Sequence, residues 1–267
     1  MAPLTELLVV FTAGLITGLA TGLGVAPFFF VDEIADRWIV VLWGLACGIL
    51  LSASLFGLIR EGIADGDPLY VAIGVLSGIG FVLLADRAIA GYEFTPRSST
   101  RVTPKTLVLT VAVLTIHSVP EGIAVGVAFA DMGSEPGISI GGVDVPGLAV
   151  FMSVAISILN VPEGLAIAIP LVAYGMSRWK VVGWAVFSGL PQPIGAVVAY
   201  YFVTTVRELL PLSFGFAAGA LLYLVFLEFL PAGVEYGSSL ANRGITELVT
   251  GACVGFSITL GLVLAVG

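Results

Sequence analysis

"HSVPEG" (residues 117–122) interrupts one long apolar run of this 267-residue chain, and "NVPEG" (160–164) interrupts another. A charged residue at the centre of a bilayer costs ~2.5–3.5 kcal/mol on insertion scales. A proline beside it removes a backbone donor and crowds the carbonyl four residues back. Two such insertions need an explanation, and the apolar runs around them decide the fold.

The chain is 58% hydrophobic and 10% charged, with a mean hydropathy of +1.12. Those values lie far outside the range of water-soluble domains and identify a membrane protein. A helix needs ~20 mostly apolar residues to cross a hydrocarbon core of about 30 Å. Eight runs of that kind are predicted, near 7–31, 38–59, 69–89, 106–130, 147–173, 181–205, 212–230 and 248–267. The first follows "MAPLTE", which has no basic residue, and is longer than a signal-peptide core, so it is read as a retained span. The links are short, so residues 1–267 are expected to form one all-α membrane domain with no folded extramembrane enzyme. A net charge of −8 offers no basic surface to nucleic acid. Cys47 and Cys253 stand alone in spans two and eight and are read as packing residues.

The basic residues orient the bundle. Arg37, Arg87, Arg97, Arg101, Lys105, Arg178, Lys180 and Arg243 fall in the links after spans one, three, five and seven, whereas Arg60 and Arg207 alone fall on the other side. Positive charge is retained in the cytoplasm, so both termini are expected to be extracellular. The outward link between spans four and five is acidic, with Asp131, Glu135 and Asp144.

Internal similarity indicates an inverted repeat. "GLACGILL" (44–51) in span two resembles "GFAAGALL" (215–222) in span seven, and "VPEGIAVG" (119–126) in span four resembles "VPEGLAIA" (161–168) in span five. Each pair runs in opposite directions across the bilayer. The expected arrangement is a 3+2+3 bundle in which spans 1–3 and 6–8 are exchanged, together with spans four and five. Such repeats are characteristic of transporters with a central site.

Glu121 and Glu163 are the clear mid-span acids. His117, the sole histidine, is four residues before Glu121 and shares its helix face, and Asn160 is three residues before Glu163. Pro120 and Pro162 are expected to loosen both helices and free nearby carbonyl oxygens. No lysine or arginine is mid-span, so the glutamates either hold protons or are compensated by a mobile cation. Imidazole, carboxylates and amide oxygen form a reasonable shell for a divalent transition metal. Ser118 and Gln192, the latter in "SGLPQPIGA", are further polar groups at membrane depth; Glu228 is read near the end of span seven and Asp86 as interfacial.

At this point the chain resembles the ZIP (Zrt-, Irt-like) family of metal transporters, prokaryotic branch, through "TGLATGLGVAPFF", "GLACGILLSASLFGLI", "HSVPEGIAVGVA", "NVPEGLAIAIPL", "SGLPQPIGA" and "FAAGALLYLVFLEFLP" in order. The resemblance implies eight spans, outward termini, homodimers in the plasma membrane, and uptake of zinc, iron, manganese or cadmium as substrate rather than cofactor. It also implies that spans one, four, five and six carry the metal against the rest. It carries ligand roles onto His117, Glu121, Glu163 and Asn160, with Ser118 and Gln192 at positions where relatives have ligands. Leu50 and Leu159 replace ligands of some members, and Gln192 replaces a glutamate, so one good site and a weaker second site at most are expected. The alternatives are an intramembrane metalloenzyme, for which no H-E-x-x-H or G-x-S-x-G motif is present, and a proton- or sodium-coupled solute carrier.

Overall fold

The computed structural model describes residues 4–89, 104–133, 137–140 and 142–266. Among the described residues, eight helical rods are long and apolar enough to cross a membrane: Leu4–Phe29, Asp36–Asp65, Pro68–Ala88, Thr110–Ala128, Gly147–Ala173, Arg178–Thr205, Arg207–Ser239 and Ala241–Leu264. They are spans one to eight. Charged residues near the ends lengthen them beyond their apolar runs: "REGIAD", expected as a link, continues span two as helix through Arg60–Asp65. Much of the basic link between spans three and four, with Arg97 and Arg101, lies outside the described residues. The link between spans four and five contains a small antiparallel hairpin, β1 (Ile138–Ile140) against β2 (Val143–Val145), with Ser139 opposite Asp144. β-Branched residues around a glycine turn account for it, with Gly142 at φ +84°.

Packing divides the rods into two groups. Span two lies on span eight and span three on span seven, while spans one, four, five and six pack together. These pairings map onto one another if spans 1–3 and 6–8 exchange. A local irregularity follows the same exchange. Spans two and seven each contain π-helical turns, Ala53–Ile59 and Leu224–Phe229, which begin at the same offset beyond the matched glycines Gly44 and Gly215. Spans three and eight are outermost, with only 22% and 28% of their most apolar windows buried, against 67% to 72% for spans two, four, five and seven.

The expected breaks are elsewhere. Spans four and five run as continuous helix through Pro120 and Pro162. A proline removes one rung of the hydrogen-bond ladder, and the neighbouring spans hold the helix on both sides of the gap. The interrupted rods are spans one and six: span one tightens to a 3-10 helix over Thr21–Phe29, and span six breaks at Leu190, ahead of a second helix that opens with Pro191.

The glycines of the two Pro-Glu-Gly motifs explain how these interruptions meet the centre. A Cβ on Gly122 would collide with the backbone oxygen of Gln192 in span six, and a Cβ on Gly164 with the backbone oxygen of Thr21 in span one. Both motifs therefore serve as contact points for a neighbouring backbone. Gly122→Ala and Gly164→Ala should each destabilise the purified chain by ~1–3 kcal/mol through overpacking. Gly80→Ala, where nothing lies within 4 Å of the added methyl, should leave thermal unfolding followed by tryptophan fluorescence unchanged or slightly raised. Equal shifts in all three variants would refute this account of the motif glycines.

Candidate metal centre

Spans four, five and six bring six polar side chains to the middle of the bundle. His117, Ser118, Glu121, Asn160, Glu163 and Gln192 are each at most 2% exposed. They do not play one part. The Gln192 Nε2 donates to Glu121 Oε2 at 2.6 Å and to Asn160 Oδ1 at 3.2 Å, while Asn160 Nδ2 donates to Gln192 Oε1 at 3.0 Å and to the Thr17 carbonyl of span one. A relay of amides thus runs from span one through spans five and six to Glu121 on span four. The Ser118 hydroxyl donates to the Leu114 carbonyl one turn back at 3.1 Å and ties down its own helix.

The carboxyl groups of Glu121 and Glu163 face each other within hydrogen-bonding reach. One oxygen on each, Oε1, is buried without a hydrogen-bond partner, and so is Nδ1 of His117. Buried polar atoms are nearly always satisfied, so an orphaned oxygen on each of two facing carboxyl groups, with an orphaned imidazole nitrogen one turn along span four, needs a reason. Two facing carboxylates repel unless a proton or a cation lies between them. Carboxylate oxygens and an imidazole nitrogen are donors suited to a divalent transition metal. Leu50 and Leu159, which stand where the resemblance implies a ligand in some relatives, are fully buried apolar residues.

His117 also faces a second group. With the proton on Nε2, its ring donates to Asp86 Oδ1 at 3.3 Å. Donor atoms of Asp86 (span three), His117 (span four) and Glu228 (span seven) all lie within 4.8 Å of one another. Tyr223 also reaches the Asp86 carboxylate. Asp86 Oδ2 is a further buried oxygen without a partner. Sequence reasoning named Asp86 and Glu228 but assigned them no role. The signal that could have found them is an acid embedded in apolar sequence, "LLAD" and "FLEF", near the same end of the bundle.

At the ends, Arg207 pairs with Asp131 at 2.7 Å and Arg178 with Asp32 at 2.7 Å. Exposed pairs of this kind contribute at most about 1 kcal/mol. Asp131 thus has a cationic partner, Asp144 belongs to β2, and Glu135 lies outside the described residues.

Comparison with known proteins identifies the family. A family model described as "ZIP Zinc transporter" matches residues 96–263. At3g08650 of Arabidopsis thaliana, which has a provisional zinc-transporter name, is 36% identical over 220 residues, 82% of this chain and 33% of that protein. Zinc transporter GufA of Myxococcus xanthus is 30% identical over 270 residues, 96% of this chain and 98% of that one. Zinc transporter ZupT of Corynebacterium glutamicum is 28% identical over 274 residues, covering 93% and 97%. The chain therefore spans a third of the plant protein and almost all of each bacterial one.

The geometry predicts two separable cation groups. Titration of the purified chain with zinc should show two classes of binding, one removed by Glu163→Ala and the other by combined Asp86→Ala and Glu228→Ala. A single class lost in both variants would mean that the two groups are one site.

Proposed function

Because this chain belongs to the ZIP family of zinc transporters, we propose that it takes up zinc, or a closely related divalent transition metal, into the cytoplasm. Alternating access to the mid-membrane site on spans four and five is the proposed route. The observation that carries this reading is the pair of facing, buried carboxylates with one orphaned oxygen each and, among the described residues, no lysine or arginine paired with them. His117, Glu121 and Glu163 are the proposed ligands; Asn160, Ser118 and Gln192 are the polar lining that holds them. Oxygen and nitrogen donors without thiolate favour a site that strips water from the ion yet releases it. The names of the bacterial relatives support zinc; iron, manganese and cadmium suit the same donors and belong to the test.

The inner cluster extends the route. Span four carries His117 one turn from Glu121, toward the end of the bundle that the basic links mark as cytoplasmic. An ion leaving the two glutamates would thus meet Asp86 and Glu228 next, with His117 reaching both groups. Extracellular termini, a homodimer and a plasma-membrane location complete the proposal; the charge distribution supports the first and the family resemblance the other two.

The test is metal uptake into proteoliposomes loaded with a fluorescent chelator, comparing zinc, iron, manganese and cadmium. His117→Ala, Glu121→Ala and Glu163→Ala should each reduce uptake by about tenfold or more. Asp86→Asn should slow uptake while leaving zinc binding by the two glutamates intact. Wild-type protein that binds zinc at Glu163 but moves none of the four metals would overturn the transport reading in favour of a sensor or an enzyme.

A further inference from the structure

The exchange that relates spans four and five also relates spans six and one. "SGLPQPIG" (188–195) aligns with "TGLATGLG" (17–24): Gly189, Leu190 and Gly195 recur as Gly18, Leu19 and Gly24, Ser188 stands opposite Thr17, and Gln192 stands opposite Thr21. The structure puts these last two at matching points. The backbone oxygen of Gln192 lies against Gly122, next to Glu121; that of Thr21 lies against Gly164, next to Glu163. Each residue also sits where its span changes helix, at the start of the 3-10 segment in span one and just after the break in span six.

Their side chains behave differently. Both residues are at most 2% exposed. The Gln192 amide nitrogen bridges two oxygens, Glu121 Oε2 at 2.6 Å and Asn160 Oδ1 at 3.2 Å. Binding two oxygens at once from a partly positive centre is what a cation at that point would do. The Thr21 hydroxyl, by contrast, has no hydrogen-bond partner, and neither does Oε1 of Glu163.

We propose that this asymmetry limits the centre to one ion: the Gln192 amide takes the place of a cation between Glu121 and Asn160, and Thr21 leaves the Glu163 side open for a single divalent ion. The inference rests on the central site of the transport reading. The donor set supports it. A second ion between Glu121 and Asn160 would meet the N–H groups of Gln192, which can only donate, where it needs an acceptor. Gln192 is then a positioning residue that holds Glu121 by Oε2 and directs Oε1 to the metal. Thr21 is a residue of the centre that family motifs and hydropathy do not single out.

The experiment counts zinc per chain by equilibrium dialysis and elemental analysis. It uses the full-length protein with Asp86→Ala and Glu228→Ala, so that the inner cluster does not contribute. One zinc per chain is expected. Adding Gln192→Glu should raise the count to two, a gain that a structural role for the amide would not produce. Adding Thr21→Gln, whose amide would cap Glu163 as Gln192 caps Glu121, should weaken the remaining zinc by about tenfold or more. Thr21→Val, nearly the same shape without the hydroxyl, should weaken it without changing the count. Two zinc ions before any change at Gln192, or one zinc still in the Gln192→Glu chain, would overturn the proposal. Glu163→Ala is the separate control: zinc retained there would mean that the central-site reading itself has failed.

Discussion

Two carboxylates buried face to face in a bilayer, with no lysine or arginine in the middle of any span, are the constraint on which this structure turns. A fixed cation would neutralise them permanently and leave nothing to bind. Without one, the charge has to be met by something that arrives and departs, whether a proton or a metal ion. Ligand binding then contributes directly to the stability of the state that holds it. The amide relay from Thr17 through Asn160 and Gln192 to Glu121 limits the burden by satisfying Oε2 of Glu121, and Oε1 is left without a hydrogen-bond partner.

The architecture keeps that centre dry and ordered by close backbone approach. Gly122 and Gly164 admit the backbones of spans six and one against the two motifs, where any side chain would hold them apart. Spans four and five stay continuous through their prolines, so the carboxylates are carried on intact helices. Irregular backbone is confined to the partners, as a 3-10 segment in span one, a break in span six and π turns in spans two and seven. Helix interruptions at membrane depth persist where protein surrounds them.

His117 joins the two groups of spans. Glu121, Glu163, Asn160 and Gln192 all belong to spans four, five and six, whereas Asp86 and Glu228 come from spans three and seven, in the other packing group. The imidazole has two distinct ring nitrogens, one turned to Asp86 and one without a hydrogen-bond partner. A side chain of that kind can serve a ligand shell on one nitrogen while sensing the neighbouring group through the other.

Much of this was legible in residue order. Hydropathy alone marks eight spans, and the isolated Glu121 and Glu163 mark the centre, because charge in an apolar run is costly wherever the helices lie. The spacing of His117 to Glu121 and of Asn160 to Glu163 places each pair on one helix face, a relation internal to a single helix. What residue order left open is how each face is turned toward the next span. That Asn160 and Gln192 hydrogen-bond to one another, that Ser118 bonds to its own helix, that Asp86 and Glu228 converge on His117, and that spans one and six rather than four and five are interrupted are all outcomes of rotation and approach between helices. Residue order alone accounts for the membrane fold and for its two mid-span glutamates, Glu121 and Glu163, because both follow from local transfer energetics and helix periodicity. Which neighbours those acids have is set by the packing of the spans, because side-chain direction across an interface depends on how two backbones approach.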